Sequence, residues 1–184
     1  MRAPLAALTL ILASSAVSAV ELSIVTTKGY VRFNVPDDWR VLHMQTKPPV
    51  SVAAFQVLNP ADDGTPHSTN VAVSLFHVDH EKGRVAADGL GKLHGSATPE
   101  VRGEWTIYSQ VRLQQGTKYS VVDATRSIAD VVVLVRFAWP DLPNNPPGYD
   151  KQMHAAMAAV QASVTGGLGT VPMRDGEVIR RPTR

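Results

Sequence analysis

The sequence predicts an α+β protein, an antiparallel β-sheet of about six or seven strands packed by helices. Three observations carry the prediction. Apolar residues recur with a period of two from Leu22 to Trp139. Clusters of Gly, Pro, Asn and Asp cut that stretch into pieces of strand length. The clearest helical stripe follows the last strand, so strands and helix are segregated rather than alternating as they would around a parallel sheet.

In chain order, Leu22–Thr26 and Tyr30–Val35 read as two strands joined through Gly29, with Val31, Phe33 and Val35 on one face. Pro36-Asp37-Asp38 ends the second. Trp39–Thr46 is a third extended segment, stopped by Lys47-Pro48-Pro49, and Val50–Leu58 is a fourth. Residues 59–69 are nearly all turn formers and predict one exposed loop. Asn70–Val78 is apolar on both faces, as a central strand covered on two sides should be. Between His80 and Ser96 the period changes: Val85, Ala86, Leu90 and Leu93 could share a helical face, at a cost of about 1 kcal/mol for each interior glycine. Next come Trp105–Leu113, with Trp105, Ile107, Ser109, Val111 and Leu113 facing inward, then a turn at Gly116, then Tyr119–Arg126. Asp130–Trp139 carries five consecutive aliphatic residues and reads as buried on both faces. After a Pro-rich break at 140–147, Tyr149, Met153, Ala156, Met157, Val160 and Val164 form one helical stripe. Gly166-Gly167 should stop that helix, leaving 166–184 as a flexible basic tail.

Residues 1–19 have the three parts of a secretory signal: Arg2, the apolar Leu5–Ala13, and small residues ending in Val17-Ser18-Ala19. The apolar part is shorter than the ~20 residues of a membrane-spanning helix, so cleavage after Ala19 and export to the periplasm or beyond is the expectation. An uncleaved anchor is the alternative. The domains are then the signal at 1–19, a single α+β domain at 20–165 and the tail at 166–184. At 44% hydrophobic and 18% charged, the chain has the composition of a globular protein. It has no cysteine, which removes thiol nucleophiles, Cys-ligated zinc, iron–sulfur clusters and N-terminal lipidation on cysteine. A net charge of +2 is too small an excess for a nucleic-acid binder. The chain implies no cofactor.

Gly29-Tyr30-Val31-Arg32-Phe33-Asn34-Val35-Pro36-Asp37-Asp38-Trp39, a strand running into a Pro-x-x-Trp turn, resembles the opening of the Mog1/PsbP-like superfamily. The Asn59-Pro60 loop before Asn70 and the terminal helix after a Val-rich strand are similar too. The resemblance spans about residues 22–164 and implies a sandwich fold and a non-catalytic binding or assembly role. It brings no functional residues with it, and the missing lipidated cysteine departs from its lipoprotein members.

Chemistry-bearing residues are sparse. His77, Asp79 and His80 could converge where a strand ends and offer a metal an N/O ligand set; the alternative is a polar strand end followed by the first turn of a helix. Asp62-Asp63-Gly64 lacks the rest of a calcium loop and reads as a turn. No Gly-x-Ser-x-Gly, Ser-x-x-Lys or His-Glu-x-x-His pattern occurs, so no enzyme is expected. The expected partner is another protein, met by Trp39, Asp62, Asp63, His67, Trp139 and Leu142 on the turns and loops around the sheet. Of the tryptophans, Trp105 and Trp139 continue inward-facing patterns, which also suits them to the core.

Overall fold

The computed structural model describes residues 18–25, 29–47, 50–58, 68–77, 89, 94, 97–129 and 131–168. The alternating segments form strands: β1 (Ala19–Val25), β2 (Gly29–Pro36), β3 (Arg40–Lys47), β4 (Val50–Leu58), β5 (Ser68–His77), β6 (Glu100–Arg102), β7 (Trp105–Gln114), β8 (Thr117–Ile128) and β9 (Val131–Pro140). The helical stripe forms α1 (Tyr149–Ser163), and β10 (Thr165–Leu168) follows. All pairings are antiparallel, in two sheets: one of seven strands in the order β3-β4-β5-β9-β8-β7-β6, the other of three in the order β1-β2-β10.

The small sheet and α1 together cover one face of the large sheet. Ile24, Val31, Phe33 and Val35 meet Phe55, Val73, Val135 and Phe137 there, with Met153, Met157 and Val160 of α1 completing the core. Phe33 meets Phe55 edge-on at 6.4 Å between ring centres, which fixes β2 over β4. Tyr149 ties the start of α1 to β5: its hydroxyl and Thr69 Oγ1 lie 2.7 Å apart, both buried. The opposite face holds a smaller apolar cluster, Phe76 and Leu134 with Val50 and Val132.

Several boundaries differ from the sequence reading. β5 starts at Ser68, so the expected loop gives up its last two residues; Ser68 Oγ accepts a hydrogen bond from Gln56 Nε2 on β4, and Thr69 is the partner of Tyr149. The helix ends at Ser163 with Val164 extended as its C-cap, ahead of the glycine pair, and 165–168 then add an edge strand to β2 instead of opening a tail. A Cβ at Gly166 would lie 2.6 Å from Tyr30 O, so only glycine permits that approach. β6 was not expected from the sequence: its three residues are all exposed and bury no apolar pattern. The helix expected between His80 and Ser96 lies outside the described residues apart from Gly89 and His94, as do 1–17, most of the 59–69 loop and the tail from 169.

β7 departs most informatively. Its inward face is covered at Trp105 and Ile107, but Val111 and Leu113 are 70% and 73% exposed. The β7–β8 hairpin runs past α1, so the alternation continues where no layer lies over it. Gln115 (φ 50°) and Gly116 (φ 84°) close the hairpin in the left-handed conformations that a tight two-residue turn requires.

Candidate functional site

Two charged residues sit within buried stretches of neighbouring strands, Asp123 among Val121, Val122 and Ala124 in β8 and Arg136 between Val135 and Phe137 in β9, and the register places them directly opposite each other. Tyr108 of β7 lies opposite Asp123 on its other side, so the three share one row on the face away from α1. Asp123 is fully buried. Its Oδ1 accepts a hydrogen bond from Arg136 Nε at 2.6 Å, and its Oδ2 accepts one from the Arg136 NH2 group at 2.6 Å. His94 Nε2 donates to the same Oδ2, also at 2.6 Å, and the imidazole stacks on the Tyr108 ring with centroids 4.0 Å apart.

Burial pushes the Asp123 carboxyl up, but the hydrogen bonds from Arg136 and His94 outweigh it and hold it below the usual carboxylate range. The same bond to Asp123 raises the Arg136 guanidinium. With the carboxylate ionised, Nε2 of His94 carries the shared proton, and Nδ1 keeps a lone pair in the neutral ring. Nδ1 is buried with no hydrogen-bond partner among the described residues.

The chemical capacity of this network is limited. Both Asp123 oxygens are occupied by donated hydrogen bonds, and no hydroxyl reaches His94 Nδ1 among the described residues, so the pair orients an imidazole without a nucleophile for it to activate. No group of three or more His, Asp or Glu side chains converges as a metal site among the described residues. The network acts as a fastener, binding β8 to β9 and His94 to the sheet.

Sequence reasoning missed it, although a signal was present. A single charge inside a strand buried on both faces must be paired, and Asp123 and Arg136 are the complementary charges of neighbouring strands.

A second constellation lies at the start of α1. Trp139 Nε1 donates to Asp150 Oδ1 at 3.0 Å, and His154, one helical turn on, meets the indole edge-on at 5.1 Å. Ser109, Val111, Ser120 and Val122 of the hairpin face these residues across an open groove of about 310 Å³.

The sequence-predicted site residues scatter. Trp139 is a core side chain, and Trp39 packs on Phe55 and Phe137 with ring centres 6.1 and 5.7 Å away. Neither indole offers a partner a surface. The turn between β2 and β3 carries Trp39 and the end of β9 carries Trp139; both rings lie in the core, which the inward-facing pattern of Trp139 suited and which leaves no partner contact through either. Leu142 is half-buried in the 141–148 connection, where its carbonyl accepts a hydrogen bond from the Asn145 N–H. The backbone of His77 pairs with Val131 at the end of β5; its side chain, Asp62, Asp63, His67, Asp79 and His80 lie outside the described residues.

Solved structures resemble this fold at low sequence identity. LpqN of Mycobacterium tuberculosis, described as involved in cell envelope biogenesis, is 17% identical over 81% of this chain and 91% of its own, with a TM-score of 0.47. The Ran-binding protein Mog1p of Saccharomyces cerevisiae is 12% identical over 80% of this chain and 96% of its own, with a TM-score of 0.44. A Mog1 point mutant gives 11% identity, 80% and 95% coverage and a TM-score of 0.46. All three likenesses are at 17% identity or less and have TM-scores below 0.5. No family model matches the chain, and no curated protein matches it.

Proposed function

We propose that this chain is an exported, periplasmic protein that binds another protein as a non-catalytic accessory, assembly or immunity-type factor. The observation that carries the reading is the outer half of β7: a regular strand whose far edge has no neighbour beyond Ile107 among the described residues, with Val111 and Leu113 exposed on it. An open sheet edge with apolar side chains is a template for a further strand. The Asp123–Arg136–His94 network, by contrast, is buried and holds the sheet together.

Export rests on the signal-like residues 1–19. No helix among the described residues is long and apolar enough to cross a membrane. A cut after Ala19 would remove only the first pair of β1, Ala19 with Pro36. N-terminal sequencing of the protein recovered from periplasm should begin at Val20; recovery of Met1 in a membrane fraction would contradict export.

The binding role is tested by passing native periplasmic extract over the tagged protein, with and without chelator. A stoichiometric protein that survives chelation is the expected result. Retention of metal and no protein would contradict the reading.

A further inference from the structure

The free stretch of β7 is more specific than an open edge alone. β6 pairs with Trp105, Thr106 and Ile107 and stops, so Tyr108–Gln114 present seven residues with no outer neighbour among the described residues. Along them the side chains alternate: Val111 and Leu113 lie on the side of α1, and Gln110, Arg112 and Gln114 on the other. Val111 borders the groove beside Trp139 and His154, so an aliphatic side chain laid over it has a place to go. On the other side the charge is uncompensated. Arg112 is exposed and meets no carboxylate among the described residues.

Resting on the protein-binding reading above, we infer that β7 receives an extended segment of a partner protein in which aliphatic and acidic residues alternate. The aliphatic residues lie against Val111 and Leu113, an acidic residue lies opposite Arg112, and the main chain pairs with the edge from Tyr108 to Gln114. Charge selects this occupant over a second copy of the chain. Antiparallel pairing of two β7 edges would bring Arg112 near its own counterpart, and residues 108–114 contain no carboxylate to offset either. An opposite charge directly across a strand pair is favourable, whereas a like charge is not.

The test uses the chain purified as exported and three synthetic seven-residue peptides: one alternating Glu with Val and Leu, one with Lys in place of each Glu, and the acidic one N-methylated along one edge. Fluorescence anisotropy gives affinity, and amide hydrogen exchange gives location. The acidic peptide should bind about tenfold tighter than the basic one, N-methylation should abolish binding, and protection should rise within 108–114. Arg112→Glu should weaken the acidic peptide about fivefold and strengthen the basic one. Equal binding of the two charge patterns, no binding, or protection confined to another strand would overturn the inference. A dimer in light scattering that Leu113→Lys dissolves would also overturn it, giving the edge to a second copy. A partner retained from extract equally by wild type and Leu113→Lys overturns the edge but keeps the protein-binding reading; an extract that yields no partner overturns the reading itself.

Discussion

The seven-stranded sheet has β3 at one end and the three-residue β6 at the other, beside which most of β7 has no outer neighbour among the described residues, and the two sides are guarded differently. β3 carries exposed Val41, Leu42 and Met44, yet its register slips by one residue between Val41 and His43, so Leu42 bulges out of the ladder. Arg40 and Lys47 stand at its two ends. A bulge and terminal charges are the devices by which natural sheets discourage strand addition. β7 pairs with β8 without interruption from Thr106 to Gln114, and among the described residues only its first three are covered on the other side. Its Val111 and Leu113 are more exposed than any apolar residue of β3. The difference teaches which edge the fold protects and which it leaves open to be used.

That difference depends on a rigid base for the β7–β8 hairpin, and the Asp123 network supplies it. Asp123→Ala strands the Arg136 guanidinium, which keeps some exposure, so the loss falls near the lower end for a broken buried pair: about 3 kcal/mol, or a Tm roughly 6–12 °C lower in a thermal melt. A Tm within 1 °C of wild type would show that the hairpin is anchored elsewhere.

The network also sets a pH dependence. The Asp123 carboxyl titrates lower in the folded protein than in the unfolded chain, so its contribution is fully present above about pH 4 and is lost as pH falls through the lowered folded value. Urea titrations of wild type and Asp123→Asn should differ near pH 5 and converge as the pH falls below about 4. A gap that persists undiminished at lower pH would contradict an ionised Asp123.

Transferring the guard from one edge to the other gives the next effect. A residue inserted after Val111 builds a bulge into β7 that interrupts its regular edge, which should weaken the acidic peptide by about tenfold or more, with little change in Tm. Deletion of Leu42 regularises β3 and should produce self-association visible by light scattering. The smallest effects are single surface charges. Leu113→Lys and Val41→Lys should each change stability by no more than about 0.5 kcal/mol, while only Leu113→Lys lowers peptide affinity.

Much of the fold was legible because strand faces and helical stripes are local. Val31, Phe33 and Val35 face the core as the alternation required, and Tyr149, Met153, Met157 and Val160 form the buried face of α1. β10 was not legible, since its reason is the close passage of Gly166 over Tyr30, a contact between residues far apart in the chain. The exposure of Val111 and Leu113 was hidden for the same reason: alternation says which side a residue faces, and only tertiary structure says whether anything lies there. Asp123 stood out beside Val121, Val122 and Ala124, and Arg136 as the one charge of β9, but their pairing follows from the β8–β9 register, which no single segment encodes. The expected contacts through Trp39 and Trp139 went the other way, because an indole beside a turn looks identical in sequence whether it points outward or under the small sheet.

Amide hydrogen exchange of residues 108–114 and 40–47, measured with and without the acidic peptide, tests the account most directly. The account predicts protection of 108–114 on binding and no change over 40–47; protection of 40–47, or of neither edge, would contradict it.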